Sequence, residues 1–256
     1  MSFTEEIIYK KLKAFNLENV SCLFVTSDLG KIGLIPGKNK KDLLDCIYNS
    51  IIEINPDITI VVPTASLNLI NNGEIFDINT TPSYKMGAFS EYIRKKEKSK
   101  RSYHSLWSLS AIGPLADYIV NKISNHAYDF QSAFANLFKL KNNFFLSLGN
   151  HPRFSLSIIH HFENMFNVPY RFTKTFLIHC KENNHILEKK FQLDVLKEEF
   201  RFEKKTRNKK IFENFENKKK LYVESFGKAN IYYFSLDEFY DVTKKLFHED
   251  KNCWLK

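Results

Sequence analysis

The sequence predicts an α/β fold: a central, mainly parallel or mixed sheet flanked by helices. Three observations carry this. SCLFVT (21–26), ITIVVP (58–63) and NFFLSLG (143–149) are short apolar runs without polar alternation, the pattern of strands covered on both faces. Between the first two, Leu43, Leu44, Ile47, Ile51 and Ile52 recur at helical spacing. This makes a strand–loop–helix–strand unit, whose strands pair in parallel through a right-handed crossover. Helical and strand patterns then keep alternating to the end of the chain.

The elements follow in order. Residues 2–15 predict a helix, with Ser2 and Glu5 at capping-box spacing and Ile7, Ile8, Leu12 and Phe15 along one face. The strand at 21–26 leads into the loop SDLGKIGLIPGKN, the helix around 43–52, and the strand ended by Pro63. A polar loop runs from Thr64 to Ser83, and ordered loops of that length tend to be functional. Helices are expected over 86–96 and 114–123, the third buried strand over 143–149, and a helix over 155–166. Residues 170–180 alternate like a strand. Residues 221–235 predict two strands joined at Gly227, and a last helix covers 236–247. The length of 256 residues fits a single domain over 1–256. Within it, 181–220 is a charged elaboration, expected to be helical, that serves as a lid, as a surface for a homodimer, or as part of a substrate pocket.

Composition sets limits. With 43% hydrophobic and 26% charged residues the chain has material for a sizeable core, so wholesale disorder is excluded. No apolar run reaches the roughly 18 residues a membrane span needs. The start, MSFTEEIIYKKLKAF, lacks a signal-peptide pattern, so a cytoplasmic protein without stable membrane insertion is expected. Cys22, Cys46, Cys180 and Cys253 are scattered, with no CxxC or CxxH pair, so neither a disulfide framework nor a zinc knuckle is expected, and His160 with Glu163 lacks the HExxH spacing and a third ligand for a metal site. The net charge of +9 points to an anionic partner: nucleic acid, a membrane surface or a phosphate-bearing small molecule. More than half of that excess falls within 181–220.

Four stretches place reactive groups at loop positions. Thr26-Ser27-Asp28-Leu29-Gly30 follows the first strand, where backbone N–H groups near a helix start suit an anion or an oxyanion. The spacing is neither GxGxxG nor GxxxxGK[ST], and an ordinary strand-to-helix turn is the competing reading. Thr81-Pro82 through Met86-Gly87 to Glu91 combines a stiff proline with a glycine that lets a ligand approach the backbone. Glu91 reads equally as solvated helix surface. Arg101-Ser102-Tyr103-His104, followed by Trp107-Ser108, sets a histidine among polar side chains. That suits a general base near neutral pH, or a merely hydrogen-bonded histidine. On the helix over 155–166, Ser157, His160 and Glu163 stand three residues apart, so the carboxylate can orient the imidazole.

In this order the stretches resemble the aminoglycoside 3-N-acetyltransferase family of antibiotic acetyltransferases. The family's HxSLxxxG is matched by Thr26 to Gly33, its strand ending in PT by Pro63-Thr64, and its TPxxMGxxSExxR by Thr81 to Arg94. RSxHPxxSxxAxG corresponds to Arg101–Gly113, the strand ending in LG to Leu148-Gly149, TxxHxxE to Ser157-His160-Glu163, and PYR to Pro169-Tyr170-Arg171. The likeness covers roughly residues 20–176. Thr26 stands where the family has its opening His, Ser105 where it has Pro, and Ser157 where it has Thr.

The resemblance implies the family's own α/β fold, distinct from the GNAT fold, and an N-acetyltransferase that uses acetyl-CoA on a primary amine of a sugar. It implies His104 as general base, with His160 and Glu163 orienting it or holding the acceptor. Thr26, Ser27, Asp28, Leu29, Gly30, Arg101, Ser102 and Ser108 would hold the donor. Thr64, Met86, Gly87, Glu91, Tyr103, Ser157 and Arg171 would contact the acceptor. No cysteine falls in a motif, so direct transfer is expected. The motif regions hold few acids but include Arg94, Arg101, Arg153, Arg171 and Lys174, which favours a phosphorylated, nucleotide-linked amino sugar over a polycationic antibiotic. The wording HHFENMFNVPYRFTKTF also resembles family members associated with surface-polysaccharide synthesis. Aminoglycoside resistance is the alternative. A different class is raised by FRFEKKTRNKKIFENFENKKK (200–220), whose interleaved basic and aromatic residues suit nucleic acid, or equally a solvated helix with Phe202, Phe212 and Phe215 facing the body. A non-catalytic CoA-binding protein is a third option.

Overall fold

The apolar run forms strand β1 (Cys22–Ser27), whose residues from Cys22 to Val25 are fully buried and so are covered on both faces. It lies at the centre of a seven-stranded sheet, parallel to β2 (Thr59–Pro63) on one side and to β5 (Asn143–Leu148) on the other. Beyond β2 come β4 (Leu109–Ile112) and β3 (Lys100–Arg101). Beyond β5 come β9 (Ala229–Ser235) and β8 (Tyr222–Phe226). All four join antiparallel, giving the order β3-β4-β2-β1-β5-β9-β8. This computed structural model describes residues 3–121, 123–201 and 208–255.

Strand alternation divides the core into two layers. Leu23, Val25, Ile60, Val62 and Leu148 share one cluster with apolar side chains of α1 (Glu5–Lys13), α3 (Lys40–Ile54) and α4 (Ala88–Arg94). Cys22, Phe24, Val61, Phe145 and Phe234 share the other with α5 (Ala116–Val120), α6 (Ala133–Lys139), α7 (Ile159–Met165), α8 (Lys209–Asn217) and α9 (Leu236–Glu249). Helix α1 starts later than its sequence suggests. Its cap is Thr4, whose hydroxyl accepts from Ile7 N at 3.3 Å, and the Ser2 expectation lies outside the described residues. Helix α3 is closed by a reciprocal Asn39–Asp42 capping box. Among the described residues no helix is long and apolar enough to cross a membrane.

The charged region departs from the helical expectation. Residues 185–196 form β7 (His185–Leu196), the return strand of a long hairpin with β6 (Arg171–Glu182), turned at Asn183 and Asn184, both at positive φ. Phe191 and Leu193 are buried while Lys190 and Gln192 are not, a period of two that the surrounding charges mask in the sequence. The helical part is α8, which buries Ile211, Phe212 and Phe215. Those aromatics are therefore core residues, not a nucleic-acid surface; Phe202 lies outside the described residues. The hairpin also anchors the long 64–83 loop, because Phe76 N donates to His179 O at 2.8 Å and Lys181 N to Phe76 O at 2.8 Å.

Candidate active site

Parallel pairing brings the carboxyl ends of β1 and β5 side by side, with Ser27 opposite Leu148. The loops after such ends are where ligands bind on these sheets. Three glycine-dependent contacts draw those loops together. A Cβ on Gly87 (φ +91) would lie 2.2 Å from Ser27 O, and one on Gly149 (φ +86) 2.5 Å from Asp28 O. Gly227 packs its backbone in the same way against Ile32 O. Gly87→Ala is therefore expected to destabilise the fold by about 1–3 kcal/mol, the scale of a strained backbone position. A drop in the thermal unfolding midpoint would show it; an unchanged midpoint would mean that Ser27 moves aside freely.

Two cavities open where the loops meet. The first, of about 520 Å³, is lined by Thr26, Ser27, Met86, Ser157, His160 and Arg171, all singled out by the sequence. The second, of about 590 Å³, is lined by Ser27, Asp28, Leu29, Gly30 and Gly87, together with Leu34, Leu43 and Lys40. Both share Ser27, Lys85 and Asn150.

His160 lies on the wall of the first cavity, with 21% of its side chain exposed. Its Nδ1 lies 2.6 Å from Glu163 Oε2, one helical turn on, and 3.0 Å from Arg171 Nη2. The carboxylate contact is the shorter of the two, so Nδ1 carries the proton and hydrogen-bonds Glu163 Oε2, and the Arg171 Nη2 approach is then a contact between two donors rather than a hydrogen bond. The Nε2 lone pair is then left to accept, and no described residue bonds it. Glu163 is fully buried behind the imidazole, and the Arg171 guanidinium stands 2.7 Å from the same Oε2. Burial alone would raise the Glu163 carboxyl; Arg171 and His160 outweigh it and hold the carboxyl below its usual range. Burial and the Arg171 charge push His160 below its ordinary value, against the pull of Glu163. Both effects favour the neutral imidazole. The rings of Tyr128, Trp107 and Trp254 surround it, at centroid distances of 5.4, 6.2 and 6.3 Å.

His104, the base that the resemblance implies, lines neither cavity. It is buried against Phe191 away from both cavities. Its Nδ1 accepts from Trp107 N at 3.0 Å, and its Nε2 donates to Asn125 O at 3.1 Å. Both ring nitrogens are used, and burial pushes its pKa to about 4.

Several expected ligand contacts are internal ties instead. Arg101 donates to Thr64 O at 2.8 Å, Thr81 O at 2.6 Å and Ser108 Oγ at 2.9 Å, pinning both ends of the long loop. Ser108 in turn donates to Thr64 O, and Thr64 Oγ1 bonds Ser108 and Ser110. Ser102 Oγ accepts from Leu109 N. Tyr103 packs between Phe76 and Phe191. Glu91 pairs with Arg94 and accepts from Ser83. Burial opposes the shift, but those partners hold its pKa at about 2. Ser157 lies in the turn before α7 rather than on a helix, and its buried hydroxyl has no partner among the described residues. Lys85, Asn150, Phe154, Ser155, Asn208 and Trp254 also line the first cavity and were not foreseen as site residues. Of these, Lys85, inside the Thr81–Arg94 motif, and Asn150, next to Leu148-Gly149, carried a local signal.

The fold is shared with solved structures. YokD protein from Bacillus subtilis is 23% identical, with a TM-score of 0.79 over 98% of this chain and 96% of that one. The structure of AAC-VIa bound to sisomicin is 16% identical, with a TM-score of 0.83 over 97% and 98%. AAC-IIIb in binary complex with CoASH is 17% identical, with a TM-score of 0.78 over 96% and 97%. No curated protein matches the sequence. The model of the aminoglycoside 3-N-acetyltransferase family matches residues 24–248. The chain, with its imidazole–carboxylate pair at the strand ends, belongs to that family and is an N-acetyltransferase.

Proposed function

We propose that the enzyme acetylates the amine of a phosphorylated, nucleotide-linked amino sugar, a precursor of a cell-surface glycan, by direct transfer with His160 as general base. One observation carries the acceptor class. The cavity beside His160 is lined by Lys85 and Arg153, with Arg171 paired to Glu163 behind it, and, among the described residues, by no Asp or Glu. A polycationic acceptor would meet like charge there, whereas a phosphorylated one meets its complement.

The donor is acetyl-CoA. The second cavity suits its arm, since Leu29, Leu34, Leu43 and Ala88 form an apolar wall, Gly87 presents bare backbone, and Lys40 and Lys85 border it. Bound there, acetyl-CoA supplies the thioester carbonyl that an amine attacks. Attack forms the C–N bond and breaks the thioester C–S bond, and His160 Nε2 takes the proton the amine loses and passes it to the departing thiolate, which leaves as CoA thiol. Glu163 holds the Nδ1–H, so the ring cannot turn, and it balances the imidazolium once formed. Arg171 keeps Glu163 ionised, and burial together with the Arg171 charge favours the neutral resting imidazole. None of the four cysteines lines either cavity, and burial raises the thiols of Cys22 and Cys253, so no thiolate is placed to carry the acyl group.

Thiol release from acetyl-CoA, measured against nucleotide-linked amino sugars and against kanamycin- and gentamicin-type aminoglycosides, tests the acceptor class. Turnover on the nucleotide sugars is expected. Turnover on the antibiotics alone would make this a resistance enzyme.

A further inference from the structure

The wall beside His160 carries an aromatic ring held out into solvent. Phe154 is 69% exposed, yet its backbone is fixed in the turn Pro152–Phe154. Pro152 is buried there, and His151 Nδ1 accepts from Arg153 N at 3.1 Å while its Nε2 binds Glu216 at 3.0 Å. The Arg153 guanidinium lies 5.3 Å from the Phe154 ring centroid, so a cation and an aromatic face form one unit. Asn208 donates to Arg153 O at 3.1 Å. It is 7% exposed and lines the same cavity, and its side-chain oxygen has no partner among the described residues. Lys85 borders both cavities and forms no ion pair among the described residues.

A rigid exposed ring beside a guanidinium is a stacking platform for a nucleobase. We infer that Phe154, Arg153, Asn208 and Lys85 form the subsite for the nucleoside diphosphate of the acceptor. Phe154 stacks on the base with the Arg153 side chain beside the ring, Asn208 holds the Arg153 backbone in place, and Lys85 meets the diphosphate. This rests on the reading of the acceptor as nucleotide-linked, and adds to it where the nucleotide sits. The adenine nucleotide of CoA offers the same chemistry. The acceptor is favoured because Phe154, Arg153 and Asn208 line the His160 cavity and not the one assigned to the donor, with Lys85 standing between the two.

Phe154→Ala removes an exposed ring and leaves the core intact. Steady-state kinetics of both enzymes would use UDP- and dTDP-linked amino sugars, the matching sugar phosphates and the free amino sugars, with the Kd for CoA measured alongside. The variant is expected to raise KM for the nucleotide-linked acceptors about tenfold or more, the scale of one lost base stack. It is expected to leave kcat, the nucleotide-free acceptors and CoA affinity near wild type. Weakened CoA binding instead would assign the platform to the donor and overturn the inference. Equal losses on all acceptors, or none, would overturn it while the nucleotide-sugar reading stands. Wild-type enzyme that ignores every nucleotide-linked acceptor would remove both.

Discussion

Replacing His160 with alanine is expected to lower kcat about 10²–10⁴-fold, the usual scale for a lost general base. The fold should survive, because His160 is partly exposed on the cavity wall and Glu163 keeps its Arg171 partner. The companion variant reads out the opposite way. His104→Ala strips the partners from Trp107 N and Asn125 O in the interior, at about 1–3 kcal/mol for each group left unsatisfied. It should lower the thermal midpoint, while the enzyme that stays folded turns over near normally. Turnover and unfolding curves on both variants decide between the histidines. A dead His104→Ala with an unchanged midpoint, or a fully active His160→Ala, would reverse the assignment.

Glu163→Gln is expected to damage both stability and rate. The carboxylate is fully buried, and its loss strands the Arg171 charge in the interior, which costs about 3–5 kcal/mol when one partner of a buried pair is removed. The rate effect has a defined sign. Burial and Arg171 lower the His160 pKa and Glu163 raises it, so wild-type kcat/KM should be full at neutral pH. It should fall as the pH drops through an acid limb below the ordinary histidine value of about 6.5. Without the anion that limb moves to still lower pH, and the plateau falls because a weaker base faces the amine. An acid limb that stays in place, with a normal plateau, would give Glu163 a purely structural part.

Lysine, asparagine and phenylalanine crowd this sequence, yet its framework was legible. The strands at 22–27, 59–63 and 143–148 came through as unbroken apolar runs, because a strand covered on both faces needs apolar side chains at every position. Helix α9 and the β8–β9 turn at Gly227 were equally plain. The short strand β4 was not, since four residues between serines and glycine carry no period. Nor was β7, whose alternation is interrupted by lysine and glutamate on its exposed positions.

The residue order alone determined the family, the element sequence and the loops that would meet at the strand ends, because each of these is written in local pattern and spacing. It did not determine which histidine acts. His104 and His160 sit in equally promising words, and a ring nitrogen becomes available or spent only through what packs against it. For His104 that is a carbonyl 21 residues away; for His160 it is a buried carboxylate one turn on and an arginine at the start of another strand. The same holds for Arg101 and Glu91, which read as ligand contacts and serve as ties of the long loop. Asn208 and Trp254 reach the site from the far end of the chain. Desolvation and hydrogen-bond satisfaction are properties of the packed interior, so only the tertiary structure decided which polar groups are consumed by the fold and which remain for chemistry.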